Sequence, residues 1–195
     1  MNRILFVCTG NTCRSPMAEG LMRRLLAEHQ LPHIEVRSAG VSAMDGAPVS
    51  RHAAAILKET GSDCSMSSST LSRSLIEWAD IVLTMTSGHK QHAIGRYPEF
   101  IDKIYTLKEY VDDDPNAADL IAEMESLIAD LQVKRALSQQ VTDEERARIL
   151  TLERKLPDYD IADPFGGSLS LYRECAEEIE AALLKLVAKL KSQAN

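Results

Sequence analysis

Apolar residues run unbroken from Ile4 to Val7 and stop at a short polar loop, Cys8-Thr9-Gly10-Asn11-Thr12-Cys13-Arg14-Ser15. Such a run, closed by a turn signal, predicts a first strand. Pro16 then opens a segment of helical period from Ser15 to about His29, with Met17, Leu21 and Leu25 facing inward. Proline suits a first helical turn because its missing N–H would be unpaired there anyway. Leu31-Pro32 breaks the helix, Ile34 to Arg37 alternates as a second strand, and Ser38-Ala39-Gly40 ends it. Two consecutive strands joined by a helix predict a right-handed parallel βαβ unit.

The rhythm continues. Pro48 to Thr60 predicts a helix with Ala53, Ile56 and Leu57 inward, stopped by Gly61. After polar Asp63 to Ser69, Thr70-Leu71-Ser72-Arg73 predicts the start of another helix with Thr or Ser as its N-cap. Asp80 to Met85 reads as the third strand, Thr86 to Gly95 as a short helix, and Lys103 to Leu107 as the fourth strand. Leu171, Cys175, Ile179, Leu183, Leu186 and Leu190 form one stripe of a final helix, Ser170 to Leu190. The pattern predicts a single α/β domain over residues 1–195 with a four-stranded parallel sheet.

Residues 112–157 break this pattern. Leu120, Met124, Leu127 and Leu131 repeat at coiled-coil-like spacing, and Ile149, Leu152 and Leu156 make a second stripe behind a capping box at Thr142 and Glu145. They predict an inserted antiparallel helical hairpin. It is acidic, with 11 Asp+Glu against 6 Lys+Arg, a net of −5. Its two readings are a solvated structural insertion and an arm that docks a protein partner or steers substrate.

Composition narrows the function classes. The 195 residues carry a formal charge of −7, which argues against a nucleic-acid partner. No apolar run approaches the ~20 residues of a membrane span. The first strand begins almost at Met1, so no signal peptide is expected and the cytoplasm is the default location. Cys8, Cys13, Cys64 and Cys175 suggest neither a disulfide framework nor a zinc site, and suit a reducing compartment. No metal or cofactor is expected.

The chemistry concentrates in the first loop. Loop N–H groups and the positive end of a helix dipole converge there, which makes an anion cradle. Cys8 sits at its floor, where that field stabilises negative charge on sulfur. Arg14 closes it with a planar fork that matches two phosphate oxygens. A lone cysteine at a strand end reads as a small buried hydrophobe, but Cys-x5-Arg-Ser between a strand and a helix start reads as a phosphate pocket with a nucleophile. A poor leaving group then needs a proton. Asp163, in Asp163-Pro164-Phe165-Gly166-Gly167, is the best donor; alone, Asp-Pro is a turn element, and Asp158 and Asp160 are weaker candidates. His89 and His92 read as helix-surface residues and Trp78 as core.

The string Val7-Cys8-Thr9-Gly10-Asn11-Thr12-Cys13-Arg14-Ser15-Pro16-Met17-Ala18-Glu19 resembles the phosphate loop of the low-molecular-weight protein tyrosine phosphatases. That family has protein arginine phosphatases and thioredoxin-coupled arsenate reductases among its relatives. The resemblance spreads over residues 2–111 and 158–191 and implies a three-layer α/β/α fold. It makes Cys8 the nucleophile, Arg14 the oxyanion clamp and Asp163 the general acid. Ser15 is implied to hydrogen-bond the thiolate, and Asn11 to hold the loop backbone through bonds that include one from Ser38. Cys13 matches a second loop cysteine able to form a reversible disulfide with an oxidised nucleophile; buried packing is its other reading.

Within the family, arsenate reduction needs two further relay cysteines, and Met85 to Tyr110 contains none. Tyrosine phosphatases typically carry Ile where Thr12 stands and a tyrosine in the Asp-Pro loop. Thr12, the Asp163 to Gly167 loop, Gly95-Arg96-Tyr97 and Thr106 to Val111 resemble the arginine phosphatases instead. A β-branched Thr12 narrows the rim against a wide ring and shapes a slot for a thin guanidinium, while Phe165 either walls that slot or packs. The resulting expectation is hydrolysis of phosphoarginine in proteins, with Thr9, Gly10, Asn11, Thr12, Cys13, Ser15 and Phe165 around the substrate. The alternatives are a phosphotyrosine phosphatase on the same machinery, an arsenate reductase, and a phosphoprotein-binding module without turnover.

Overall fold

In the computed structural model, which describes residues 1–193, strand β1 (Arg3–Cys8) lies inside a four-stranded sheet of order β2-β1-β3-β4. Strands β2 (Glu35–Gly40), β3 (Ile81–Thr84) and β4 (Ile104–Thr106) complete the sheet, and every pairing is parallel. The central position explains the uninterrupted apolar run of β1, because a strand covered on both faces has no polar side. Ile4 and Phe6 enter one core with Met17 and Leu21 of α1 (Arg14–Glu28), Ile56 of α2 (Arg51–Glu59), Leu107 of α5 (Leu107–Tyr110) and Ile179 and Leu183 of α8 (Leu169–Gln193). Leu5 and Val7 enter a second core with Ile76 of α3 (Arg73–Trp78) and Ala93 of α4 (Ser87–Arg96). The sheet is thus the middle of three layers.

Several boundaries differ from the sequence reading for physical reasons. Helix α1 begins at Arg14, one residue early, so the loop is shorter than its polar composition suggests. The β2 ladder continues through Ser38 and Ala39 to Gly40, which pairs with Cys8. Pro48 forms an isolated bridge with Ser67, and α2 starts only after Ser50, whose hydroxyl accepts the Ala53 N–H. Ser72 is the residue of the Thr70 to Arg73 run that caps α3, its hydroxyl accepting the Leu75 N–H at 3.3 Å, while the Thr70 hydroxyl donates to the Ala43 carbonyl. Leu171 is 49% exposed instead of inward. Trp78 is only half-buried, with the Arg37 guanidinium 4.2 Å from its ring centroid.

The chain divides into two compact units, residues 1–111 with 159–195 and residues 112–158. The second unit holds α6 (Pro115–Ala136) and α7 (Asp143–Glu153). Thr142 and Glu145 cap α7 reciprocally, with bonds of 3.2 and 3.0 Å. Lys134 pairs with Glu145 and Glu123 with Arg148, the nested order of two antiparallel helices, while Leu131 and Leu152 are buried. Among the described residues, no helix is long and apolar enough to cross a membrane.

Candidate active site

Because β1 is central, its carboxyl end opens between β2 and β3, and the loop after Cys8 meets chain from both neighbours. In open parallel sheets ligands bind at this edge. On the β2 side the approach is close: a Cβ on Gly40 would lie 2.5 Å from the Thr9 carbonyl and 2.9 Å from the Asn11 nitrogen. Only glycine allows the loop to lie against the sheet there.

The loop reverses at Asn11, whose φ of 52° is in the left-handed region. Its buried side chain holds that conformation from three directions. Nδ2 donates to Ser15 Oγ at 2.9 Å and to Ser38 Oγ at 2.8 Å, while Oδ1 accepts the Ser69 N–H at 2.7 Å. The bond to Ser38 therefore runs from Asn11, the reverse of the expected direction. Ser38 spends its own proton on Glu19 Oε2 at 2.5 Å. Glu19 is buried, and burial raises its affinity for a proton despite the Ser38 bond and the Arg23 charge. Ser15 Oγ, already an acceptor from Asn11, donates to the Ala39 carbonyl at 3.3 Å and stands 3.0 Å from Cys8 Sγ. Rotation of the hydroxyl from the Ala39 carbonyl to the closer sulfur gives its single proton to a thiolate at Cys8.

Arg14 is only 4% exposed, and its fork points across the pocket mouth. Nη1 donates to the Ile161 carbonyl at 3.1 Å and Nη2 to Asp163 Oδ2 at 2.7 Å. The Asp-Pro loop is itself anchored: Ile161 N–H bonds the Met85 carbonyl, Phe165 N–H bonds Asp163 Oδ1, and Gly167 N–H bonds the Pro164 carbonyl. Asp160 is held by the Ser87 N–H at 2.7 Å. A pocket of ≈ 250 Å³ is lined by Cys8, Thr9, Gly10, Thr12, Cys13, Arg14, Asp163 and Phe165. Asn11, Ser15 and Ser38 do not line it; they form its support. Phe165 is 78% exposed at the rim, so it belongs to the pocket and not to the core.

Cys13 reaches towards α8, with Sγ 3.1 Å from Tyr172 Oη and 3.4 Å from Ser50 Oγ. Burial, then the Cys13 contact, pushes the Tyr172 hydroxyl up to about 12. All four cysteines are free thiols. Cys175 lies behind the Asp-Pro loop against the Ala162 carbonyl, and burial pushes it up to about 12, so it stays a thiol.

His89 is the main correction. It is buried rather than on the helix surface; His92 is exposed. The His89 ring is fastened at both nitrogens, Nδ1 to Thr86 Oγ1 and Nε2 to Thr9 Oγ1, each at 2.8 Å. The legible signal was topological: the loop after β3 must meet the loop after its neighbour β1. Glu19 was missed too, although it follows Ser15 by four residues and so shares its helix face.

Burial, and next the Arg14 charge, pushes His89 down from 6.5 to about 4; His92 acts in the same direction, while Asp163 and Asp160 oppose. The unfolded chain therefore takes up this proton first. Stability contributed by the neutral ring is complete above about pH 6.5 and declines as the pH falls towards 4. Urea denaturation at pH 7 and pH 4.5 is expected to show a loss of up to about 3 kcal/mol attributable to this residue. His89→Gln should lack that share, and an identical pH dependence in the variant would contradict it.

A three-layer parallel α/β fold with a Cys-x5-Arg loop and a facing aspartate defines a cysteine-dependent phosphatase. The chain belongs to the low-molecular-weight phosphotyrosine protein phosphatase family, whose profile matches residues 3–123 and 112–195. It is similar to the protein-arginine-phosphatase of Geobacillus stearothermophilus, at 39% identity over 98% of this chain and 97% of that one. The solved structure of the YwlE arginine phosphatase from the same organism covers 99% of this chain and 95% of its own, at 38% identity and a TM-score of 0.72. A further YwlE structure, a cysteine-to-serine mutant with a phosphorylated active-site serine, is 33% identical with a TM-score of 0.72 and covers 97% of this chain and 95% of its own.

Proposed function

We propose that this protein hydrolyses phosphoarginine in proteins through a phosphocysteine intermediate on Cys8. The observation that carries the reading is the convergence of Cys8, Arg14, Asp163 and Thr12 on one small pocket. The full-length likeness to arginine phosphatases, and the phosphorylated serine in one of them, support it.

The steps follow from the geometry. Entering phosphoryl oxygens replace Asp163 on the Arg14 fork and accept the loop N–H groups. The Cys8 thiolate attacks phosphorus, an S–P bond forms and the P–N bond breaks. Asp163, in its acid form, gives its proton to the departing guanidine nitrogen. Asp163, now a carboxylate, takes a proton from water as the water oxygen attacks phosphorus. The S–P bond breaks, phosphate leaves, and Ser15 receives the returning thiolate as a hydrogen-bond donor. Ser38 and Glu19 support this step by keeping Asn11, and through it Ser15, in one orientation.

Thr12 is assigned the choice between arginine and tyrosine. Thr12→Ile places a larger aliphatic group on the rim, and the ratio of kcat/KM for phosphoarginine over phosphotyrosine is expected to fall about tenfold or more. Side-by-side assays on phosphoarginine and phosphotyrosine proteins test both the parent and the variant. A parent that turns over only phosphotyrosine would install the tyrosine phosphatase reading, and an unmoved ratio would remove Thr12 from specificity. The substrates are then phosphorylated proteins of the cytoplasm. Residues 112–157 are read as an insertion into one phosphatase domain, because they interrupt the strand–helix alternation and residues 112–158 form a compact unit of their own. The acidic surface of this hairpin suits a protein partner.

A further inference from the structure

Thr9 sits on the pocket wall with Thr12 and Asp163, and its hydroxyl is fastened to a buried ring that belongs to another strand–helix connection. An exposed threonine on a loop would ordinarily turn its hydroxyl freely. Here the ring cannot yield: Thr86 holds Nδ1 at 2.8 Å, and the Thr86 hydroxyl also accepts the His89 backbone N–H as the cap of α4.

We propose that His89 is a positioning residue that locks Thr9, and that the locked Thr9 oxygen selects a guanidinium leaving group by accepting one of its N–H bonds. This rests on the phosphoarginine reading of the same site. A hydroxyl has one proton and two lone pairs. If Nε2 carries a proton, it uses one Thr9 lone pair; if Nε2 accepts, Thr9 spends its proton there and keeps both. In either tautomer a lone pair remains for a donor in the pocket. A guanidinium is a flat array of N–H donors and supplies that donor. A phenyl ring has none and leaves the hydroxyl unpaired against an apolar face, which is the arrangement by which hydrogen-bonding sites reject isosteres. The neutral state of His89 supports the assignment, since a second cation beside Arg14 would repel the guanidinium.

The test is the ratio of kcat/KM for phosphoarginine over phosphotyrosine in the parent, Thr9→Val, His89→Leu, their double variant and His89→Gln. Each of the first two substitutions is expected to lower the ratio about tenfold, the worth of one hydrogen bond to a charged group. The double variant should fall no further, because both remove one device. Gln reaches as far as Nε2 and is expected to keep the ratio within about threefold of the parent. A Thr9→Val ratio within about twofold of the parent overturns the proposal, because a merely structural role lowers both activities alike. Effects that multiply in the double variant also overturn it. Should His89→Leu fail to fold, Thr9→Val and His89→Gln still decide. A parent inactive on phosphoarginine overturns the proposed function and this inference together, whereas an active parent with an unmoved ratio overturns this inference alone.

Discussion

Cys8→Ser is expected to lower kcat on phosphoarginine by on the order of 10⁴-fold or more, with the fold retained. The thiolate is the attacking species, and a serine hydroxyl in this loop has no base beside it: its neighbour is Ser15, at 3.0 Å, and the nearest imidazole is turned to Thr9. The protein around the substitution should notice little. Cys8 is 3% exposed at the end of a fully paired strand, and exchanging sulfur for oxygen creates no cavity. The new hydroxyl can bond Ser15, so the stability change is expected to stay within about 1 kcal/mol. Steady-state assays with a denaturation curve on the same preparation check both halves. Substantial hydrolysis by a folded Cys8→Ser variant would remove covalent catalysis from this residue. A variant that unfolds would leave the loop's support, not its chemistry, as the role of Cys8, and Cys8→Ala would then separate the two.

What could be read from sequence was whatever is local. The apolar run of β1, the proline after the loop and the helical stripe of α1 lie within one βαβ unit, so residues 8 to 15 identify both the cradle and its support. Asp163 was legible through its Asp-Pro-Phe-Gly-Gly context, and the structure places it 2.7 Å from Arg14, across 149 residues of chain. The misses have one cause in common. His89 reads as polar surface because its helix alone offers no reason for burial; the reason is Thr9, which the sheet order brings beside it. Glu19 has no role legible within α1 because its partner Ser38 arrives on β2. In each case a side chain's role was decided by a strand neighbour and not by its own segment.

Asp163→Asn is expected to lower kcat on phosphoarginine by about 10² to 10⁴-fold, the usual range for a removed general acid. Asparagine keeps the shape, but its single oxygen serves only one of the Arg14 and Phe165 N–H donors, which Asp163 meets with Oδ2 and Oδ1, and it has no transferable proton. The ion pair lost with it is half-exposed on the aspartate side, 50% against 5% for Arg14, so its contribution to stability is small, about 1 kcal/mol at most. Activity and stability are thus expected to separate. The leaving group distinguishes the role further. With p-nitrophenyl phosphate the first step needs no proton, because nitrophenolate departs unaided, and the burst of nitrophenol should persist in the variant. The following steady rate should still fall, because hydrolysis of phosphocysteine needs the same carboxylate to accept a proton from water. A burst followed by slow turnover is therefore the signature of one residue acting twice. Loss of the burst with this activated substrate would assign Asp163 to holding Arg14 in place, and full turnover on phosphoarginine would move the acid elsewhere on the rim.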